Sequence, residues 1–220
     1  MNPHQVTKDF EQALAIYTGA PFAVAVNSCT MALTLAVAWH LRKTKPKFGE
    51  AAIKRDTKIG IPKRTYISVP MAIIHAGGQP TFRDESWVGW YQLRPILVWD
   101  SARYFSSGMY AEDGMPGRNE YSRGMVCCSF HASKTLGIEQ GGVILHDDPK
   151  ADAWLRRARF DGRTEGVAPK DDDFKQIGWH CYMSPSTAAQ GLLKLHSLPR
   201  HNEPLPNDDY PDLSQMDIFK

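Results

Sequence analysis

Cys127-Cys128-Ser129-Phe130-His131-Ala132-Ser133-Lys134-Thr135-Leu136-Gly137, followed closely by Gln140-Gly141-Gly142-Val143-Ile144-Leu145, is the stretch that decides the fold. The apolar runs near 125–130 and 142–146 predict two buried strands, and the polar loop between them carries Lys134. A lysine between buried strands can point its amine into a cleft, where loss of water lowers the pKa of an amine and makes it nucleophilic. Taken alone, however, Lys134 would more simply be a solvated loop residue.

A second predicted strand end favours the cleft. Residues 96–99 are apolar, and Asp100 follows them at the carboxyl end. In a parallel α/β sheet the carboxyl ends of the strands face the ligand crevice. A lysine and a carboxylate at two such ends are the groups that pyridoxal phosphate requires, because the lysine bonds to its aldehyde and the carboxylate keeps its ring nitrogen protonated. A lone strand-end aspartate is more often a cap, but the pair predicts Lys134 and Asp100 as catalytic residues.

The turn Asn27-Ser28-Cys29-Thr30 joins a predicted strand, 22–26, to a predicted helix that ends at Leu41. Backbone N–H groups at the start of a helix attract anions, and a hydroxyl at Ser28 or Thr30 would add a donor. An ordinary helix cap explains the same residues equally well.

These pieces, in this order, resemble the DegT/DnrJ/StrS sugar aminotransferases, which are pyridoxal-phosphate enzymes of fold type I. The resemblance covers nearly all of residues 8–198. Each matching segment is weak alone, and the ordered set is specific. Besides the lysine loop, the matching segments are 10–19, 25–33, 65–68, 76–84, 99–102, 159–163, 178–184 and 188–192.

The resemblance implies a Schiff-base lysine at Lys134 and a composite site in a homodimer. It places the cofactor phosphate at Thr30 and the backbone of Met31, an aromatic face at Tyr66, and a pocket-wall histidine at His131. The cofactor-binding residues that it predicts are Ser28, Cys29, Thr30, Met31, Tyr66, Asp100, Arg103, Ser129, His131, Lys134 and His180.

Two of these residues depart from the family pattern. Arg103 stands where the family usually has histidine or glutamine, so it brings a cation that suits a carboxylate or a phosphate. His180 stands where the family has an asparagine that reaches the partner subunit's cofactor phosphate. A solvent-facing arginine and a looser role for the histidine are the alternatives.

Alternation of strands and helices predicts an α/β fold with a mostly parallel sheet. We expect residues 1–198 to form the large, cofactor-binding domain of fold type I, without most of the small C-terminal domain that the family has. Residues 199–220 hold four prolines and little periodicity, which predicts a tail that does not pack as a layer. The site should therefore be unusually open.

Composition excludes several classes of protein. The chain has 220 residues, a net charge of +2 and 42% hydrophobic residues, so no global attraction to polyanions is implied. No apolar stretch is long enough for a membrane helix, no secretory signal is visible, and no histidine or cysteine spacing suggests a metal site. Four cysteines without a paired motif predict free, buried thiols in a cytoplasmic protein.

Three functions stay open at this point. The resemblance implies amino transfer to a nucleotide-linked keto sugar. A decarboxylase or lyase acting on an amino-acid-decorated nucleotide or DNA would suit an open site, and the basic residues between 42 and 64 would suit nucleic acid, although a solvated connector explains them too. A non-catalytic relative is the third possibility, and the presence of both Lys134 and Asp100 argues against it.

Overall fold

A computed structural model describes residues 4–42, 57–111, 124–207 and 209–220. Five α-helices and seven strands lie in these ranges, together with three single-turn 3-10 helices at Pro169–Asp171, Leu213–Gln215 and Asp217–Phe219. The α-helices are α1 (Gln5–Thr18), α2 (Cys29–Arg42), α3 (Ser68–His75), α4 (Pro149–Ala158) and α5 (Pro185–Ser197). The strands are β1 (Phe22–Val26), β2 (Lys58–Pro62), β3 (Gln79–Arg83), β4 (Tyr91–Leu93), β5 (Val98–Asp100), β6 (Met125–Ser129) and β7 (Gly142–His146).

The main sheet is mixed, so the prediction of a mostly parallel sheet is wrong. Its strand order is β1-β7-β6-β5-β4, and β2 pairs with β3 in a separate parallel sheet. In the main sheet only β5 and β6 pair in parallel, while the other three pairings are antiparallel. Residues 94–97 are too few for the crossover that a parallel pair needs, and residues 130–141 hold no helix to form one.

Three strands of this sheet nevertheless point the same way. Strands β1 and β6 are both antiparallel to β7, so they are parallel to each other, and β5 is parallel to β6. Their carboxyl ends, at Val26, Ser129 and Asp100, therefore lie at one edge of the sheet. The site was predicted from strands whose carboxyl ends lie at one edge of the sheet, and these three strands end there although the sheet is not mostly parallel.

The sheet separates two apolar cores. On β1, Val24 and Val26 join the core that α2, α3 and α4 cover, whereas Ala23 and Ala25 join the core that contains residues of α1 and α5. This alternation follows from the period of two in a strand, which sends successive side chains to opposite faces. Both faces of the main sheet are thus buried, so the residues of this sheet that are open to a ligand lie at the ends of its strands.

Residues 199–220, hereafter the C-terminal segment, pack against the body of the protein. Leu213 is fully buried, its N–H donates to the carbonyl of Lys63 at 2.9 Å, and the N–H of Leu205 donates to the carbonyl of Arg103 at 2.8 Å. In its described residues the segment forms no α-helix or strand, and the predicted tail docks on the body of the protein. Proline cannot donate to a strand ladder, but single backbone bonds and a buried leucine are enough to dock the segment.

Among the helices in the described ranges, none is long and apolar enough to cross a membrane.

Candidate active site

A cleft of about 470 Å³ opens at the shared edge of β1, β5 and β6. Its volume lies within the range of pockets that hold small molecules. The polar residues lining it come from the sheet edge, the loop between β6 and β7, and the C-terminal segment. They include Ser28, Thr30, Thr65, Tyr66, Ser68, Asp100, Arg103, Ser129, His131, Ser133, Lys134, Glu139, Gln140 and Tyr210.

Lys134 is half-buried in the loop between β6 and β7. Its backbone N–H donates to the carbonyl of His131 at 2.8 Å, in a turn that precedes the buried Leu136 and Ile138. At the base of the loop the N–H of Phe130 donates to the carbonyl of Gly141 at 2.9 Å. The loop is therefore closed at its base and anchored by apolar side chains, and it presents Lys134 to the cleft.

Asp100 is 4% exposed and faces the same cleft. One carboxylate oxygen, Oδ1, accepts the N–H of Ala102 at 2.9 Å, and the other, Oδ2, accepts the phenol of Tyr91 at 2.7 Å. Burial raises the pKa of Asp100, while the bonds from Tyr91 and Ala102 and the nearby charge of Lys134 oppose that rise. Asp100 is a desolvated carboxyl group with its orientation fixed by two donors.

Three thiols lie near this carboxyl group, Cys29 and Cys127 in the core that contains Tyr91, and Cys128 in the core on the other face of the sheet. Cys29 lies at the start of α2, and Cys127 and Cys128 lie on β6, all of them buried and free. Burial and, after it, the neighbouring Asp100 raise the pKa of each thiol well above its usual value. They are therefore neutral neighbours of Asp100, and the prediction of free, buried cysteines is confirmed for all four, including Cys181.

The turn that opens α2 has the features of an anion site. Ser28 caps the helix, because its Oγ accepts the N–H of Met31 at 3.2 Å. The N–H groups of Cys29 and Thr30 belong to the first turn, where a helix supplies no partner. Gly142, paired with Val26 and Ser129 in the sheet, lies directly beneath: a Cβ there would stand 2.6 Å from the backbone nitrogen of Cys29.

A second pair of hydroxyls lies beside this turn. Thr30 Oγ1 and Ser68 Oγ are 2.8 Å apart, and both residues line the cleft. One of their two protons is used between them, so the pair retains one proton to donate to an oxyanion. Ser68 begins α3, and the sequence analysis did not single it out, although a serine at a predicted helix start was a usable signal.

Aromatic residues form the rim of the cleft. Tyr66 is 59% exposed and presents a ring to the cleft. Tyr210, from the C-terminal segment, stacks on Trp87 with ring centroids 6.2 Å apart. The carbonyl of Tyr210 accepts from Arg64 at 3.1 Å. The expected open site is therefore partly walled by the C-terminal segment.

Arg103 connects the floor of the cleft to that wall. It is buried, and its guanidinium donates to the carbonyl of Pro206 and to the hydroxyl of Tyr210, the latter at 3.3 Å. The predicted cation is thus present in the cleft, and the contacts of its guanidinium hold the C-terminal segment.

Nine of the eleven predicted site residues line this cleft; the exceptions are Met31 and His180. The N–H of Met31 is occupied by the cap on Ser28. His180 is exposed, and its Nδ1 lies 2.8 Å from Asp161 Oδ2. Its predicted role is to reach the cofactor phosphate of a partner subunit, and that role stays a prediction. Sequence reasoning missed Ser68, Trp87 and Tyr210 in the lining, and Tyr91 behind it.

The family model that describes the DegT/DnrJ/EryC1/StrS aminotransferases matches residues 3–90 and 112–204. The chain belongs to this family. This match confirms the resemblance stated from the motifs at the level of the family, and the family uses pyridoxal phosphate.

Solved structures of other proteins share the fold. AtS13 from Actinomadura melliaura has a TM-score of 0.67 at 22% identity, covering 88% of this chain and 60% of that one. PseC from Helicobacter pylori, an aminotransferase involved in pseudoaminic acid biosynthesis, has a TM-score of 0.65 at 18% identity, covering 89% and 58%. The sugar aminotransferase CalS13 from Micromonospora echinospora has a TM-score of 0.65 at 17% identity, covering 88% and 61%. This chain thus spans about three-fifths of the length of these relatives.

Proposed function

We propose that this family member is a pyridoxal-phosphate enzyme that acts at an amine-bearing carbon, and that its reaction is amino transfer to a nucleotide-linked keto sugar. The observation that carries the proposal is the meeting of Lys134, Asp100 and a hydroxyl-lined helix start in one cleft. The sugar aminotransferase CalS13 shares the fold and supports the choice of substrate class.

The residues of the cleft fit the cofactor. Gly142 leaves room for the turn at Cys29, where the N–H groups and the hydroxyls of Ser28 and Thr30 would hold a phosphate. Ser129, at the neighbouring strand end, would add a third hydroxyl. The exposed ring of Tyr66 would stack on the pyridine. The cleft therefore offers donors for the phosphate, the ring of Tyr66 for the pyridine, and the amine of Lys134 for the aldehyde.

The two catalytic residues would then have separate tasks. Pyridoxal phosphate supplies, when bound, an electron sink for the bonds at the amine-bearing carbon. Lys134 would bind it covalently through Nζ and, once released by the substrate amine, would move a proton to and from the reacting carbon. Asp100 would hold a proton on the ring nitrogen. The wall formed by Trp87 and Tyr210 would exclude water from that side of the cleft.

The contacts of the described basic residues weaken the nucleic-acid alternative. Lys63 pairs with Asp84 and Asp212 at 3.0 and 3.4 Å, and Arg64 donates to the carbonyl of Tyr210. These two cations are therefore engaged in part with the C-terminal segment. Arg42 lies over the ring of Trp154, 5.4 Å from its centroid, and Lys58 is exposed. The other basic residues of the stretch, from Lys43 to Arg55, lie outside the described residues.

Borohydride reduction followed by mass spectrometry tests the proposal. Protein incubated with pyridoxal phosphate and reduced should carry one pyridoxyl group, on Lys134, and Lys134→Ala should lose both the adduct and the turnover. Lys150→Ala, an exposed lysine at the start of α4, is the matched control and should behave as wild type.

The outcomes separate the alternatives. An adduct with release of carbon dioxide or an elimination product from an amino-acid-decorated nucleotide would replace amino transfer by the lyase reaction. Absence of any adduct in wild type, or full turnover by Lys134→Ala, would reject the catalytic role of this cleft.

A further inference from the structure

A chain of hydrogen bonds lies behind Asp100, in the wall of the cleft. Tyr91 Oη donates to Asp100 Oδ2 at 2.7 Å, and Thr65 Oγ1 lies 2.7 Å from the same phenol oxygen. All three residues are buried, with exposures of 4% for Tyr91, 1% for Thr65 and 4% for Asp100. A phenol has one proton, and Tyr91 gives it to the carboxyl group. Thr65 must therefore donate to Tyr91, so the chain runs from Thr65 through Tyr91 to Asp100.

The sheet places Tyr91 in this position. Strand β4 is antiparallel to β5, and Tyr91 is the direct partner of Asp100 in their register. Directly opposed residues send their side chains to the same face, at a distance that allows contact. The ring of Trp87 packs edge-on against Tyr91, with centroids 4.8 Å apart. Tyr91 is thus held by a strand on one side and by an indole on the other.

We propose that Tyr91 is a positioning residue that, with Thr65 behind it, fixes the orientation of the Asp100 carboxylate and keeps it ionised for the ring nitrogen of the cofactor. The inference deepens the proposed function and rests on it for the identity of the ring.

The surroundings of Asp100 explain why such a donor is needed. The titratable groups near it are Cys29 from α2, Cys127 from β6, Cys128 in the core on the other face of the sheet, and Lys134 from the loop, besides Tyr91 itself. The three thiols are buried and neutral, so they offer no charge to balance a carboxylate. Burial opposes ionisation, and the donors that oppose burial are Tyr91 and the N–H of Ala102, helped by the charge of Lys134. A hydrogen bond to a charged group is among the stronger bonds in proteins, and it disappears if Tyr91 loses its hydroxyl.

The test uses Tyr91→Phe, which keeps the ring packed on Trp87 and removes the donor. Two readouts are independent of turnover. In cofactor-free protein, NMR of selectively labelled aspartate gives the titration of Asp100, which should move to higher pH in the variant. In the loaded protein, the NMR shift of pyridoxal phosphate labelled at the ring nitrogen should move toward the unprotonated value, and cofactor affinity should fall by about tenfold.

Tyr110→Phe is the matched control, because Tyr110 is also buried and donates its phenol, at 2.9 Å, to the carbonyl of Gly124 in the other core. It should lose some stability and leave both NMR readouts unchanged. Thr65→Val removes the outer donor and should move both readouts in the same direction as Tyr91→Phe, by less. It also serves where Tyr91→Phe fails to fold.

Unchanged titration of Asp100 and an unchanged ring-nitrogen shift in Tyr91→Phe would overturn the proposal, even if the variant were less stable. Wild-type protein that binds no pyridoxal phosphate would reject the proposed function instead. In that case the titration of Asp100 in the cofactor-free variants would still decide whether Tyr91 sets its charge.

Discussion

The two walls of the cleft are built in different ways. At the sheet edge, Gly142 is paired with both Val26 and Ser129, so that wall is continuous with the ladder and with the two cores. The opposite wall is the C-terminal segment, in whose described residues Leu213 is the one buried hydrophobic side chain. The segment is otherwise attached by the stacking of Tyr210 on Trp87, by single backbone bonds, and by polar contacts from Lys63, Arg64 and Arg103. Segments with few buried apolar groups open at lower free energy than the strands of a core.

This difference predicts that the sheet edge unfolds only with the whole protein, whereas the C-terminal segment detaches by itself. Under the proposed function, the first wall would bind the cofactor phosphate and the second would exclude water. Variants in the two walls should therefore separate global stability from closure of the cleft.

Gly142→Ala should give the largest effect. The added Cβ would stand 2.6 Å from the backbone nitrogen of Cys29, and a backbone atom in a ladder has little freedom to move away. We expect a loss of about 3 kcal/mol in the free energy of unfolding, and weaker binding of pyridoxal phosphate, measured by urea denaturation and by cofactor titration.

Gly60→Ala is the matched control, because Gly60 is a buried strand glycine whose added Cβ would meet the flexible side chain of Arg83 at 3.3 Å. Equal losses in the two variants would show that the turn at Cys29 is not tightly constrained by Gly142.

Leu213→Ala should release the C-terminal segment without unfolding the body. Removing a buried leucine side chain costs about 2 to 5 kcal/mol when the loss is felt in full, but a segment that detaches alone limits what the rest of the protein loses. Tryptic cleavage after Arg200, at the start of the segment, should accelerate by on the order of tenfold or more, while the midpoint of global unfolding changes little.

Ile218→Ala, in the same segment but 66% exposed, provides the comparison and should leave cleavage at the wild-type rate. A large fall in the global midpoint for Leu213→Ala would mean that the two walls unfold together, contrary to the distinction drawn here.

The smallest effect concerns pH, and it has opposite signs in the two walls. Burial raises the pKa of Asp100, so the native state holds its proton more tightly than the unfolded state, and stability falls as pH rises from the ordinary carboxyl pKa through the raised one. Hydrogen bonds from Ser214, together with Lys63, lower the pKa of Asp212, so its contribution is present above the ordinary pKa and is lost as pH falls.

Urea unfolding of the cofactor-free protein checks the two carboxyl groups, Asp100 and Asp212. It is measured from pH 3 to 8, roughly the range in which carboxyl groups titrate. Asp100→Asn should be more stable than wild type at neutral pH, and Asp212→Asn less stable. If Asp100→Asn were the less stable variant at neutral pH, the carboxylate would be stabilised rather than strained by its surroundings.

The sequence was informative about the first wall because its signals are local. The apolar runs at 22–26 and 142–146 match β1 and β7, and the polar residues at the strand ends, with Lys134 between two of them, marked the edge. Strand direction was mispredicted because it depends on which strands pair, and residues 130–141 hold no helix that would cross over the sheet. The predicted location of the site was still correct because β1, β5 and β6 end at the same edge of the sheet.

The second wall was beyond prediction because its contacts are distant in sequence. Arg103 and Tyr210 are more than a hundred residues apart, and no period or spacing joins them. Proline content predicted a tail that forms no packed layer, but it carried no information on docking through Leu213. Tyr91 was missed because β4 has three residues, too few to show a clear alternation.

The cysteines around Asp100 turn the sheet edge into its own reporter. Thiol alkylation requires the thiolate, and burial holds Cys127 and Cys128 in the protonated form, so a reagent reaches them only when that wall opens. Neither thiol lies in the C-terminal segment or lines the cleft, so detachment of that segment alone leaves both sites closed, whereas Cys29 lines the cleft. The rate of alkylation therefore counts the openings of one wall and ignores those of the other, with no label added to the chain.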